Sequence, residues 1–359
     1  MERHLLDPIG RMPVEDVVRR LCGVQAQVAS SADMAIRVRR ANSSPTDVAR
    51  ALSDGRVIKT WAMRGTLHLL TPEDAGTFLS LMAAGRWWET PRWVRYFGVT
   101  PQQMEALRSI VAEILGDRAL TREELVAEVT SRPGFGHLGQ ALKSGWGVVL
   151  KPLAWQGDIC FGPSRGTRVT FMRPQVASKR WAGVPEPDDA WAPAILSYLG
   201  AYAPATIDNF SAWLSRGTVS KRQLRMWFAE LGDLLATVEV DGEQMFVRSE
   251  DLDALAAARQ SSTVRLLAGF DQWVLGPGTD DTHVVPAARR RQVSKQAGWI
   301  APVVVMGGVV HGTWELYGDH VAVAWFKEGG KPPREALEAE FARMSTILGR
   351  KLTPVLSLA

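Results

Sequence analysis

The chain has 359 residues, 46% hydrophobic and 22% charged, a composition that suits two to four globular domains and excludes long disordered stretches. Its longest charge-free apolar run, residues 299–310, is broken by Pro302 and Gly307-Gly308 and is too short to span a bilayer; the opening Met-Glu-Arg-His carries no apolar signal segment. Net charge is +4, with Arg supplying 33 of the 42 basic residues, so nucleic-acid binding is open on charge alone. Two cysteines, Cys22 and Cys160, lack CxxC spacing, which argues against a zinc site or disulfide framework and predicts a cytoplasmic protein.

In chain order, residues 13–22 predict a helix with Val14, Val17, Val18 and Leu21 on one face, stopped by Gly23. A short connector, Val24-Gln25-Ala26-Gln27, leads to a second helix over 31–40, where Ser30 and Asp33 have capping-box spacing. A third short helix follows Pro45. Residues 57–63 and 66–70 then predict a hairpin turning near Gly65. Helices followed by a hairpin are the order of a winged helix.

The order recurs twice. Thr121-Arg122-Glu123-Glu124 caps a helix reaching Thr130, a further helix is expected over 138–156, and strands over 158–162 and 167–171 bracket a tip holding Arg165. Residues 180–190, with Pro185 and Pro187, read as a linker. Pro204 to Asp208 opens another helix, Ser220 starts one carrying Lys221, Arg222 and Arg225, and Asp241-Gly242 marks a hairpin turn. Beyond residue 262 the pattern changes to strands around Gly307-Gly308 and Gly318-Asp319, a helix over 333–348 and a last strand. The expected class is α+β: three tandem winged-helix units over 1–98, 99–180 and 190–260, and a small β-rich element over 262–359. Repeated hairpins with basic tips favour binding of double-stranded DNA; a protein-binding scaffold is the other reading.

Five motifs stand in order: Leu21-Cys22-Gly23-Val24-Gln25-Ala26-Gln27, Arg64-Gly65-Thr66-Leu67-His68-Leu69, Ala203-Pro204-Ala205-Thr206, Phe270-Asp271 and Gly312-Thr313-Trp314. Together they resemble the winged-helix DNA glycosylases of the azinomycin-resistance (AlkZ-like) type. The resemblance implies a C-shaped monomer of stacked winged-helix units around duplex DNA, associated with the nucleoid. It implies a monofunctional enzyme, without cofactor, that cuts the N-glycosidic bond of N7-alkylated, bulky or crosslinked guanine. The family's Gln-aliphatic-Gln signature falls on Gln25 and Gln27. The alternative is a non-catalytic DNA-binding regulator, for which dimerisation on paired half-sites is expected.

The chemistry is consistent with glutamine. An N7-alkylated guanine already carries positive charge and leaves without protonation, so the enzyme needs chiefly to place water and steady a cationic sugar. An amide carbonyl accepts from water and its NH2 donates to sugar or phosphate oxygens. Positions i and i+2 face the same side only on extended backbone, so the connector must be extended for Gln25 and Gln27 to share a pocket. If it is not, both amides serve to anchor helix ends. Asp33 is an alternative base or a cap. Arg64 at the hairpin turn, His68 facing away from Leu67 and Leu69, Arg37, Lys59, Arg165 and Arg225 are the candidate DNA contacts. Trp87, Trp88, Trp93, Tyr96 and Phe97 are read chiefly as packing, Phe270-Asp271 and Trp314 as structural, and the two cysteines as inert.

Overall fold

A computed structural model describes residues 1–359 as a mixed α+β protein. By contact density the chain forms two compact units. One comprises Met1–Val48, Leu196–Trp213 and Gly232–Ala359; the other comprises Ala49–Ile195 and Leu214–Leu231. Both are assembled from separated segments of sequence. No helix is long and apolar enough to cross a membrane.

In the first unit, a five-stranded sheet runs in the order Thr353–Leu358, His320–Trp325, Val309–Tyr317, Val303–Met306 and Val264–Leu267. Its pairs are antiparallel except the one between His320–Trp325 and Thr353–Leu358. The helix Arg334–Leu348 supplies the crossover that a parallel pair needs. Valine-rich strands bury Val303, Val304, Val305, Val321 and Val323 against Leu337, Phe341 and Met344 of that helix. The turn at Gly307-Gly308 is made by two positive φ angles, +58° and +93°. A separate hairpin pairs Leu235–Val240 with Glu243–Arg248, and Asp241 and Gly242 take φ of +51° and +85° as a two-residue hairpin turn demands.

In the second unit, strands Leu67–Leu70, Ile58–Trp61, Cys160–Arg165, Arg168–Met172 and Leu120–Thr121 lie side by side in that order. Thr121 caps the helix Arg122–Thr130 through a complete capping box with Glu124. The helix Lys221–Glu230 starts on a Ser220 cap. Long helices Pro72–Ala84 and Pro101–Leu115, which sequence reasoning passed over, each begin with proline in the first turn.

Three local expectations change. The helix expected over 138–156 is two short ones, Gly139–Lys143 and Leu150–Trp155, because Gly145 and Gly147 (φ +63°) break it. The linker is shorter than 180–190, since Pro187 starts the helix Pro187–Tyr202 with Asp188 and Asp189 in its first turn. The second helix starts at Ala29, so Ser30 lies inside it; its cap position is Val28, and no Ser30–Asp33 capping box forms.

Candidate active site and nucleic-acid contacts

The helix Val14–Arg20 buries Val14, Val17 and Val18 and ends at Leu21. Cys22 (φ +52°) and Gly23 (φ +95°) then turn the chain through left-handed backbone, and the Gly23 N–H donates to the Val18 carbonyl at 2.9 Å. This turn is pinned twice. The Tyr202 hydroxyl donates to the Leu21 carbonyl at 2.6 Å, and the Cys22 thiol donates to the Ser197 carbonyl at 3.0 Å. Val24–Gln25 leaves the turn as extended backbone, and the chain bends at Gln27 before the helix Ala29–Arg37. Gln25 is buried at 5% exposure, whereas Gln27 is exposed. The connector therefore offers one amide held inside the protein and one open to solvent, two residues apart.

The helix that follows is held from within. Arg39 is fully buried and grips Asp271 with two hydrogen bonds, 2.6 and 2.8 Å, while also donating to the Ala35 carbonyl at 2.7 Å. Asp271 in turn accepts from the Trp273 N–H at 2.8 Å, capping the short helix Gln272–Leu275. Sequence reasoning gave the Phe270-Asp271 motif a structural part; its partner, Arg39, went unnoticed because the two lie 232 positions apart. Trp314 is likewise structural, its indole N–H bonded to the Leu267 carbonyl at 2.8 Å.

Arg37 does not reach solvent. Its guanidinium is buried, donating to the Ile347 carbonyl and to Asp33 at 3.3 Å, which corrects the expectation of a DNA contact. Asp33 is paired rather than capping, and burial raises its carboxyl above the usual range in spite of Arg37.

In the hairpin of the second unit, Arg64 sits at the turn with φ +57°, a left-handed conformation that a side chain adopts at a cost of about 1 kcal/mol or more. His68 is fully buried. Its Nδ1–H donates to the Thr66 carbonyl at 3.1 Å, which leaves Nε2 to accept from the Arg64 guanidinium at 3.4 Å. Burial first, and the Arg64 charge second, push His68 down to about 3, so it stays neutral. The alternation Leu67-His68-Leu69 predicted an outward His68; it is instead fully buried, where Arg64 and not solvent meets its ring, which argues against the expected direct contact with DNA.

Lys59 is half-buried over the Phe161 ring at 5.7 Å, and desolvation lowers its pKa. Arg165, at the second hairpin tip, is exposed, but one of its guanidinium nitrogens donates to both carboxylate oxygens of Glu124 at 2.9 Å, so its charge is partly answered within the protein. Arg225 is exposed on the helix Lys221–Glu230. Trp88 and Trp93 are buried, and Trp87 packs edge-on against Trp93 and Trp155, as a packing role predicts; Tyr96 is 79% exposed. Cys160 is buried and its thiol is pushed up to about 12, which makes it unreactive. No group of three or more His, Cys, Asp or Glu side chains is placed to hold a metal ion.

The family described as DNA glycosylase AlkZ-like matches residues 18–347, a span that takes in the connector, the hairpins at 58–70, 160–172 and 235–248, and most of the C-terminal sheet. The chain belongs to the AlkZ-like DNA glycosylase family. An interstrand DNA cross-link repair glycosylase of Streptomyces sahachiroi is 46% identical over 356 residues, covering 99% of this chain and 96% of that protein. The solved structure of Streptomyces sahachiroi DNA glycosylase AlkZ matches with a TM-score of 0.96 at 45% identity, over 100% of this chain and 97% of that one. The resemblance read from the five motifs is borne out, and the protein is a DNA glycosylase of mixed α+β fold.

Proposed function

We propose that this glycosylase hydrolyses the N-glycosidic bond of N7-alkylated guanine in duplex DNA, bulky and crosslinked adducts included, with Gln25 and Gln27 at the reacting sugar. The observation that carries the reading is the connector: extended at Gln25, pinned at Leu21 and Cys22, and presenting Gln27 to solvent. The name of the Streptomyces sahachiroi relative, a cross-link repair glycosylase, supports the substrate class.

The chemistry follows from the lesion. As the bond between C1′ and N9 breaks, its electron pair returns to the base and cancels the positive charge on the alkylated ring. The sugar is left with oxocarbenium character. The Gln27 carbonyl orients a water toward C1′, and the amide NH2 groups donate to sugar or phosphate oxygens. Water adds to C1′, its proton passes to solvent, and the products are a neutral alkylguanine and an abasic site. Glutamine is too weak a base to drive this on an uncharged base, so undamaged DNA is spared. The three helix-then-hairpin stretches serve as winged-helix units of a monomer bound to DNA, with Arg64, Lys59, Arg165 and Arg225 assigned to the phosphate backbone.

The test is base release from a duplex with one N7-methylguanine and from one with a bulkier adduct, under single turnover. Gln25→Ala and Gln27→Ala are expected to slow release at least about tenfold, roughly 1.4 kcal/mol of barrier, with an unchanged thermal midpoint for Gln27→Ala, whose side chain is exposed. Release at the wild-type rate by both variants would remove the glutamines from the chemistry, and no release from either duplex by the wild type would remove the lesion class.

A further inference from the structure

The segment joining the helices Gly139–Lys143 and Leu150–Trp155 is fastened at both ends. At its start, the Arg122 guanidinium, 5.2 Å from the centre of the Phe171 ring, donates to the carbonyls of Leu142 (3.2 Å) and Ser144 (2.8 Å). At its end, Gly147 lies against Trp61 so tightly that a Cβ there would come within 2.4 Å of the ring. Trp61 is itself fixed by Phe161, 4.7 Å away between ring centres. The Gly147 carbonyl accepts from the Lys151 N–H at 2.8 Å. Between these two fixings stands Trp146, 79% exposed, between Gly145 and Gly147.

An indole held out in water on an anchored loop gains nothing for the fold. Two lysines flank it in sequence, Lys143 and Lys151. Lys143 is exposed just before it. The Lys151 ammonium, half-buried, lies within 3.5 Å of the position of a Cβ on Gly65, at the turn of the hairpin that carries Arg64. Neither lysine has a carboxylate partner, and burial alone lowers the pKa of Lys151. An exposed aromatic face on an anchored loop flanked by two such lysines has what is needed to bind an exposed nucleobase by stacking and its phosphate by charge.

We propose that Trp146 stacks on an unpaired base of the damaged duplex while Lys151 holds an adjacent phosphate. The inference rests on the enzyme's acting on DNA and is independent of which lesion it removes. A damaged site offers the base face that intact B-form stacking hides.

The experiment measures binding, by fluorescence anisotropy, of two labelled duplexes: one with a tetrahydrofuran abasic-site analogue opposite an unpaired base, and one fully paired. Trp146→Ala is expected to weaken binding to the first about tenfold and to the second much less, with an unchanged thermal midpoint. Trp146→Phe is expected to keep most of the affinity. Lys151→Ala is expected to flatten the salt dependence by about one unit of slope on both duplexes. Affinity of Trp146→Ala within twofold of wild type on the abasic duplex overturns the proposal, as does an equal loss on both duplexes or a loss that phenylalanine does not restore.

Discussion

Replacing Asp271 by asparagine keeps the shape of the side chain and deletes its charge, leaving the Arg39 guanidinium buried without a counter-ion. Both side chains are fully shielded from solvent, so the lost attraction is not replaced by water. Two unit charges about 4 Å apart attract by about 4 kcal/mol at an effective dielectric of about 20, and removing one partner of a buried pair costs about 3–5 kcal/mol in measured cases. Asparagine retains one acceptor oxygen for the two guanidinium donors and the Trp273 N–H that now share the carboxylate. The expected loss for Asp271→Asn is therefore about 3 kcal/mol. The paired change Arg39→Met with Asp271→Leu, which removes both charges, is expected to cost less than Asp271→Asn alone. The assay is urea unfolding followed by tryptophan emission, with slope and midpoint fitted for wild type, single and double variants. A loss below about 1 kcal/mol for Asp271→Asn, within the range of an exposed pair, would refute the reasoning. So would a double variant less stable than the single one.

Two further outcomes follow from the same reading. His68 titrates near 3 in the fold against 6.5 without it, so its folded pKa is depressed. The neutral ring stabilises the fold above 6.5; as pH falls below that, the unfolded chain takes up a proton that the fold refuses, and stability declines by up to about 1.4 kcal/mol per unit until pH approaches 3. His4, pushed well below 6.5 by burial and then by the Arg39 charge, adds to the decline. His68→Gln, which retains an acceptor for Arg64, is expected to show a shallower decline between pH 6.5 and 5 in urea midpoints; identical slopes would contradict the assignment. Gly76 lies inside the helix Pro72–Ala84, where alanine ordinarily gains about 1 kcal/mol, but a Cβ would fall 1.8 Å from the Gly183 carbonyl oxygen. Gly76→Ala is thus expected to lose about 2 kcal/mol or more, read as a fall in thermal midpoint, and a neutral or stabilised variant would sink the close-approach argument.

Local sequence determined what local backbone geometry can enforce. The Asp241-Gly242 turn, the Thr121–Glu124 capping box, the Ser220 start and the valine strands around Gly307-Gly308 all form as read, because each depends on dihedral preferences and hydrogen bonds within a few residues. The family was also legible, since five short motifs keep their order along the chain. For the connector, sequence left extension as a condition for Gln25 and Gln27 to share a pocket; the backbone is extended at Val24–Gln25 and bends at Gln27. Tertiary structure decided which charges face water and which are spent inside. Arg37 and Arg39 lie two residues apart on one helix end, and nothing nearby distinguishes them from surface arginines. Their partners, the Ile347 carbonyl and Asp271, lie 310 and 232 positions away. His68 alternates with leucines as an outward residue does, yet it is buried, because alternation says which residues share a face and not whether that face is covered. The same holds for Trp146: most tryptophans gain stability by burial, yet this one stands in solvent on a loop fastened by Arg122 and Trp61, which adjoin that loop in space and not in sequence.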